Sequence, residues 1–306
     1  MSEISIADRI RGALVGLIVG DAFGSKFTGL TPQDIIDATG GTGVARFGTK
    51  IVNGYERLNT VRNADDVLAA TESLLNGSGD QSRNPTDCAS PDAVMNAVLI
   101  AIPLALCHAL AGTTEAERRE DLKRLFCLAA PDGQLAYLAA IAIAPALAWP
   151  IATGQPIPRR TVGTSDVLNA VDDRLLAAVA DHPAIRESYE LLYRSFAQAI
   201  KGVDSYQKLR QMTGSRLLVQ ESVPFCLLAA IRNSTDFESA LIEAVNAGGD
   251  TGRNAAIVGA IVGANVGVNG IPKSWLTAVP EAERAARLAE ELSDRARTRL
   301  ASTAAA

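Results

Sequence analysis

Three aspartates of this chain stand in settings that could support chemistry. Asp65 and Asp66 are adjacent and precede an apolar run, and Asp250 follows a Gly248-Gly249 turn, where the backbone can approach a ligand closely. Carboxylate oxygens are the ligands that hard cations such as Mg²⁺ and Ca²⁺ prefer, and carboxylates can also transfer protons in acid–base catalysis. Asp65, Asp66 and Asp250 are therefore the candidate catalytic residues and the candidate ligands of a metal ion.

Helix capping is the alternative explanation for each of these aspartates. An aspartate at a helix N-terminus accepts backbone N–H bonds and interacts favourably with the helix dipole, for about 0.5–2 kcal/mol. Catalysis or metal binding requires more, because the three carboxylates must then converge in space. Whether they converge depends on the helices that carry them.

Two stripes of small residues indicate that the helices near these aspartates pack closely. Glycine costs about 1 kcal/mol relative to alanine inside a helix, so its recurrence every four residues needs a packing reason. The first stripe lies within residues 12–24, where Asp21 directly follows Gly20. The second stripe lies within residues 255–267, after Asp250 in the sequence. We expect two helices to approach each other along these stripes at the centre of the fold.

Helical periodicity extends over most of the chain, and no run of alternating β-branched residues predicts a strand. The predicted helices cover residues 6–22, 67–75, 91–110, 116–129, 134–144, 185–200, 224–231, 236–247 and 281–300. Residues 40–54 are predicted to form a surface loop, and no loop segment is long enough to link two domains. The sequence therefore predicts an all-α fold with a single domain over residues 1–306.

The composition argues against several kinds of partner. The 306 residues carry a formal net charge of −5 without a run of Lys or Arg, so nucleic-acid binding is not expected. Two histidines argue against a His-rich zinc site, and four cysteines without CxxC spacing are typical of thiols in a reducing, cytoplasmic compartment. The apolar segment 135–152 is long enough to span a membrane, but its prolines and alanines favour a core helix. No membrane partner is expected, and the amphipathic C-terminal helix permits a dimer without requiring one.

The chain resembles the ADP-ribosylglycohydrolase family over most of its length. The similarity is carried by residues 11–24, Asp65-Asp66 with residues 72–75, and residues 221–224, 248–251 and 271–275, in the order typical of the family. The resemblance implies the compact all-α fold of dinitrogenase reductase-activating glycohydrolase. It also implies a binuclear Mg²⁺ site that cleaves the bond between ADP-ribose and a protein side chain. The spacing from Asp65 to Glu72 is closer to that of the J1-crystallin-like branch.

The chain departs from the family pattern at positions that would bind the metal. Ala64 and Val67 stand where the family has threonines around its paired aspartates. Gly252 and Arg253 stand where the family has a further aspartate and a further threonine. Thr28 stands where relatives that cleave serine-linked ADP-ribose have a glutamate. Fewer oxygen ligands remain than two hard cations need, so we expect Mg²⁺ binding to be reduced or lost.

New cations near the aspartates offer one physical explanation for these substitutions. Lys26 and Arg253 lie in segments that bracket the family's metal site, and a cation beside clustered carboxylates stabilises their charge as a metal would. Arg253 could pair with Asp65 or Asp66 in bidentate fashion, or it could point to solvent. The candidate substrate-binding residues are Lys26, Thr28, Gly248, Gly249 and Arg253, and the glycines could cradle a phosphate at a helix N-terminus.

Three functions remain open from the sequence. The first is hydrolysis of an ADP-ribosyl or related N-glycosidic bond, in which the carboxylates orient water and stabilise a cationic sugar. The second is a metal-independent enzyme that uses the same carboxylates for acid–base chemistry on a smaller, less polar substrate. The third is a non-catalytic binding or structural protein. Dependence on Mg²⁺ separates the first function from the other two.

Overall fold

The computed structural model describes residues 4–49, 63–76, 90–158, 166–201 and 218–304. None of these residues lies in a β-strand, and the all-α prediction is confirmed. The helices are α1 (Ile6–Gly24), α2 (Pro32–Ala38), α3 (Ala64–Leu75), α4 (Pro91–Ala111), α5 (Glu115–Leu125), α6 (Pro131–Thr153), α7 (Asp166–Asp181), α8 (Arg186–Lys201), α9 (Val219–Arg232), α10 (Phe237–Asn246), α11 (Thr251–Val266), α12 (Lys273–Ala278) and α13 (Glu281–Ala304). Their apolar side chains form one continuous hydrophobic core.

Helices α1 and α11 form the central pair of the fold, and they meet along the two predicted stripes of small residues. Gly16 faces Gly259, and a methyl group on either glycine would collide with the backbone of the other. Gly20 faces Ala255 in the same way, one turn further along. Glycine is required in α1 because the two backbones leave no room for a Cβ atom. The predicted close approach of these helices is confirmed.

Helix α6 is longer than the sequence predicts. The periodicity predicts a helix over residues 134–144, whereas α6 continues through Pro145 and Pro150 to Thr153. An internal proline removes one backbone hydrogen bond and costs about 3 kcal/mol in an exposed helix. Here the helix is buried on nearly every face, and the burial of apolar side chains offsets that cost. It ends at Gly154, whose φ of 69° gives a left-handed C-cap.

Several shorter elements also differ from the prediction. Helix α5 ends at Leu125 rather than at residue 129, because Phe126 adopts an extended conformation. Helices α2 and α12 are too short for periodicity to reveal them. The start of α2 is defined instead by a capping box between Thr31 and Asp34. Helix α7 is also absent from the prediction.

Among the described residues, two helices are long and apolar enough to cross a membrane, judged by length and composition alone. An 18-residue window within Asp92–Ala111 of α4 has a mean hydropathy of 2.1, and one within Pro131–Thr153 of α6 has a mean hydropathy of 1.9. A pair bent by 83°, formed by Ile6–Phe27 (α1 with the 3₁₀ turn after it) and α2, passes the same criterion if it is taken as one span. Within the protein, 78% of the α6 window and 56% of the α4 window are buried, as expected for helices inside a helical core. The absence of a membrane partner stays a prediction.

A buried arginine ties the first helix to the ends of two others. Arg9 is 2% exposed, and its guanidinium donates to the carbonyl oxygens of Ala264 (3.1 Å) and Asn265 (2.8 Å) at the end of α11. It also donates to the carbonyl oxygen of Gly154 at the end of α6. The last carbonyls of a helix carry the negative end of its dipole, so a guanidinium stabilises them. Arg9 thereby fixes the ends of α6 and α11 against the start of α1.

Residues 40–49, the described part of the predicted surface loop, are irregular but anchored. The Val44 N–H donates to Asn246 Oδ1 and Asn246 Nδ2 donates to the Val44 carbonyl, each at 2.8 Å. Phe47 stacks on Phe23 with ring centroids 5.6 Å apart, and it packs on Trp275 at 5.1 Å. Residues 50–54 of the predicted loop lie outside the described residues.

Candidate functional site

The turn before α11 consists of two glycines that the sequence places among the substrate-binding residues. Gly248 (φ 76°) and Gly249 (φ 75°) adopt the left-handed conformation that favours glycine. The Gly249 N–H donates to the Leu30 carbonyl (2.9 Å), and the Gly249 carbonyl accepts from the Gly29 N–H (2.8 Å). A side chain on Gly248 would meet the Leu30 carbonyl oxygen at 2.7 Å. This pairing holds the segment that follows α1 against the start of α11.

Thr28 caps helix α11. Its Oγ1 accepts from the Gly252 N–H at 3.1 Å, whereas Asp250 occupies the N-cap position without a capping bond from its side chain. Thr251 Oγ1 donates to the Gly24 carbonyl (2.7 Å) and lies 3.4 Å from Thr28 Oγ1. The cap of α11 is thus supplied by the segment that follows α1, and not by the N-cap residue itself. The Asp250 carboxylate is therefore available for a different contact.

Asp250 pairs with Arg253 from the same helical turn. Arg253 Nη1 lies 3.0 Å from Asp250 Oδ2 and 3.0 Å from Asp92 Oδ1, so one nitrogen bridges two carboxylates. The Asp250 side chain is 1% exposed, whereas that of Asp92, in the first turn of α4, is 61% exposed. The hypothesis that Arg253 pairs with Asp65 or Asp66 is wrong. Arg253 instead joins the start of α11 to the start of α4.

Burial dominates the electrostatics of this pair. It raises the pKa of the Asp250 carboxyl above its ordinary value, because the loss of hydration outweighs the attraction of Arg253. Burial also acts to lower the pKa of Arg253, but the charges of Asp250 and Asp92 raise that pKa overall. Asp250 Oδ1 and Arg253 Nε are buried without a hydrogen-bond partner among the described residues. A buried polar atom without a partner destabilises the folded state unless a water molecule or another polar group satisfies it.

Asp65 and Asp66 lie at the protein surface, in the first turn of α3. Asn96 Nδ2 donates to Asp66 Oδ2 at 2.9 Å, and Asn96 lies one helical turn beyond Asp92 on α4. The Asp65 side chain is 88% exposed, with Arg284 Nη1 of α13 at 3.9 Å from its Oδ1. Residues four apart on a helix share one face. One face of α4 therefore connects the paired aspartates to the buried ion pair of α11.

A buried aspartate positions the start of α3. Asp21 is fully buried in α1 and accepts from the backbone N–H and from Nδ2 of Asn63, each at 2.9 Å. Asn63 is the N-cap residue of α3, but its side chain forms no capping bond, because it is engaged with Asp21. Asp21 therefore fixes Asp65 and Asp66 relative to α1 without reaching the surface itself.

The structure links the three predicted carboxylates through α4 but does not gather them into one cluster. In the part of the chain that the structure describes, no group of three His, Cys, Asp or Glu side chains is arranged to hold a metal ion. Asp250 faces Arg253, and Asp65 faces solvent, so these donors do not fit a hard cation.

A surface depression of about 340 Å³ lies at the opposite end of α1, around Asp8 and Arg11.

The other predicted residue of the segment after α1 is at the surface. Lys26 is exposed in the 3₁₀ turn Ser25–Phe27, which packs against the start of α11. Lys26 therefore belongs to a turn that lies beside the N-terminus of α11. It can contribute positive charge there without being fixed by a buried contact.

Four residues of this arrangement are missing from the predicted site: Asp21, Asn63, Asp92 and Asn96. Asp21 had a usable signal, because a carboxylate inside an apolar helix must find buried hydrogen-bond donors. Asp92 and Asn96 had none, since an acid in the first turn and an amide in the second are common in any helix. Only their contacts with Arg253 and Asp66 reveal their position.

Comparison with known proteins identifies the family. Among solved structures, a chain of an "ADP-ribosylglycohydrolase-related protein complex" has the same fold, with a TM-score of 0.57 and 20% sequence identity. That similarity covers 95% of this chain and 99% of the other. A search of curated proteins finds no match. A family model described as ADP-ribosylglycohydrolase matches residues 53–301, which include α3, α4 and α11, and the chain therefore belongs to the ADP-ribosylglycohydrolase family.

Proposed function

We propose that this protein hydrolyses an ADP-ribosyl bond or a related N-glycosidic bond, and that its carboxylates act without the Mg²⁺ that the family resemblance implies, because Asp65 and Asp250 are not arranged to hold a hard cation. Membership of the family supports a hydrolase-like fold. The observation that carries the proposal is the polar path along the start of α4, where Asn96 holds Asp66 and Asp92 holds Arg253. This path sets an exposed carboxylate beside a buried ion pair at the N-terminus of α11.

Asp66 is the proposed general base. Its side chain is exposed, so water can reach it, and the 2.9 Å bond from Asn96 fixes one of its oxygens. A fixed carboxylate can accept a proton from the water molecule that attacks the sugar. Its negative charge, together with that of Asp65, also favours the cationic sugar that forms as the glycosidic bond breaks. Asp250 acts indirectly, by holding Arg253 in place.

Positive charge at the same edge favours an anionic substrate. Arg253 is 12% exposed, and its guanidinium has donors beyond the nitrogen that bridges the two carboxylates. Lys26 is exposed in the turn that packs on α11. The N-terminus of a helix adds a partial positive charge, which attracts phosphate groups. Together these groups support binding of a diphosphate such as that of ADP-ribose.

The direct test is release of ADP-ribose from peptides that carry it on arginine or on serine, followed by mass spectrometry. We expect release by the native protein and a loss of about 100-fold or more in Asp66→Asn, because a general base contributes about 10²–10⁴-fold. Asp173→Asn, which removes an exposed carboxylate on α7, is the matched control and should keep full activity. If the native protein releases ADP-ribose from neither peptide, the proposed function is wrong.

A metal-independent enzyme with a different, less polar substrate is the second candidate. The ion pair between Arg253 and Asp250 favours it, because the buried carboxylate already has a cationic partner. Thermal unfolding with ADP-ribose separates the two candidates. A ligand present at 100 times its Kd stabilises the folded state by about 2.7 kcal/mol, which gives a clear shift. A shift supports the ADP-ribosyl substrate, and the absence of any shift supports the second candidate or a non-catalytic role.

A further inference from the structure

We infer that Arg253 Nη1 takes the place of a bridging cation between Asp250 and Asp92, so that a guanidinium and not a divalent metal ion joins the two carboxylates. The same nitrogen lies 3.0 Å from an oxygen of each carboxylate. Asp250 comes from the start of α11 and Asp92 from the start of α4. A single guanidinium nitrogen thus joins two helix N-termini in the way that a shared metal ion would join them.

The distances fit a guanidinium and do not fit a hard cation. Charge-assisted N–H···O bonds are about 2.7–2.9 Å long, close to the 3.0 Å observed for both carboxylates. Mg²⁺ requires oxygens at about 2.1 Å and Ca²⁺ at about 2.4 Å. Each oxygen would therefore have to move inward by roughly 0.6–0.9 Å to hold an ion at the position of the nitrogen.

The two carboxylates differ in their freedom to make that movement. Asp92 is 61% exposed and lies at the surface, so its side chain can rotate inward if the guanidinium is removed. Asp250 is 1% exposed and would be left buried without a charge partner. If Arg253 is removed, a bound cation would therefore stabilise the buried Asp250 carboxylate, and Asp92 could rotate to become a second ligand of that cation.

Position 252 could not easily supply a further carboxylate. A Cβ atom on Gly252 would lie 3.1 Å from Thr28 Oγ1 and 3.2 Å from Ser25 Cα, so those atoms would have to give way. Thr28 Oγ1 is also the cap of α11. The side chain at position 253 is thus the one that determines whether this site holds a guanidinium or an ion.

The test measures Mn²⁺ bound per chain, from the loss of the free-ion signal in electron paramagnetic resonance. The proteins are the native chain, Asp92→Asn, Arg253→Gln, and Arg253→Gln combined with Asp92→Asn. We expect the native chain and the double variant to show the same background binding. Arg253→Gln should bind one more ion, and Mn²⁺ at ten times its Kd should raise its Tm by about 2 °C.

Two results would overturn the inference. One is Mn²⁺ binding by the native chain that disappears in Asp92→Asn. The other is a folded Arg253→Gln variant that gains no ion. If Arg253→Gln does not fold, Arg253→Lys keeps the positive charge and should fold without binding Mn²⁺ above background, and binding above background would count against the inference. None of these measurements depends on hydrolase activity, so the inference and the proposed function can fail separately.

Discussion

Replacement of Gly20 by alanine tests the packing of α1 against α11. The new methyl group would lie 2.6 Å from the carbonyl carbon of Ala255, and still closer to its oxygen. Carbon atoms in contact normally lie about 3.5–4.0 Å apart, so the two helices would have to separate by roughly 1 Å. Helix propensity alone favours alanine by about 1 kcal/mol, whereas overpacking of a core costs about 1–3 kcal/mol and occasionally more.

We expect Gly20→Ala to lower the free energy of unfolding by about 2–3 kcal/mol, because the colliding atoms are backbone atoms that cannot rotate away. The measurement is the midpoint of urea unfolding, monitored by far-UV circular dichroism. The dependence of the free energy of unfolding on urea concentration should stay unchanged. Gly252→Ala is the matched control. Its methyl group would meet the Thr28 hydroxyl at 3.1 Å and the Ser25 Cα atom at 3.2 Å, which are milder contacts than those at Gly20, so it should lower the free energy of unfolding by about 1 kcal/mol and by less than Gly20→Ala does. A Gly20→Ala variant as stable as the native chain, or more stable, would refute this account of the central helix pair.

Two further predictions concern single buried or half-buried charges. Arg9→Met leaves the carbonyls at the ends of α6 and α11 without their guanidinium, so we expect the free energy of unfolding in urea to fall by about 3 kcal/mol. A fall of less than about 1 kcal/mol would contradict the anchoring role of Arg9. Burial, and then the charge of Asp173, raise the pKa of Asp172, so the stability linked to its proton is present in acid and is lost as pH rises through the folded-state pKa. Asp172→Asn should therefore raise the urea midpoint slightly near pH 7 and leave it unchanged near about pH 3. A lower midpoint for the variant at neutral pH would contradict this prediction, because it would show that the charge of Asp172 stabilises the fold.

The scaffold of the site could be predicted because its signals are local in sequence. Glycines four residues apart mark the contact face of a helix wherever its partner lies, and so the stripes predicted the pairing of α1 with α11. The adjacent acids Asp65 and Asp66, and Asp250 after its glycine turn, likewise marked the starts of α3 and α11. These features depend on the chain within a few turns of each residue.

The partners of the site residues could not be predicted, because they come from distant parts of the chain. Arg253 meets Asp92, 161 residues earlier, and nothing in the spacing of either residue distinguishes a contact with Asp92 from one with Asp66. The cap of α11 comes from Thr28, 224 residues before the N–H group that it accepts from. Which carboxylate pairs with Arg253 depends on how the helices are placed relative to one another. That placement is determined by the packing of the whole core.

Helix α1 is synthesised long before the helix that covers it. Gly24 and Thr251, which are joined by a hydrogen bond, are 227 residues apart. At about 5–20 residues per second, a ribosome needs roughly 11–45 s to make that interval. Throughout that time α1, most of which is buried in the folded protein, lacks the main partner of its glycine stripe. This state favours aggregation or capture by chaperones. Chains that terminate before α11 should therefore be degraded or insoluble rather than form a smaller folded protein, and refolding of the complete chain should be slow.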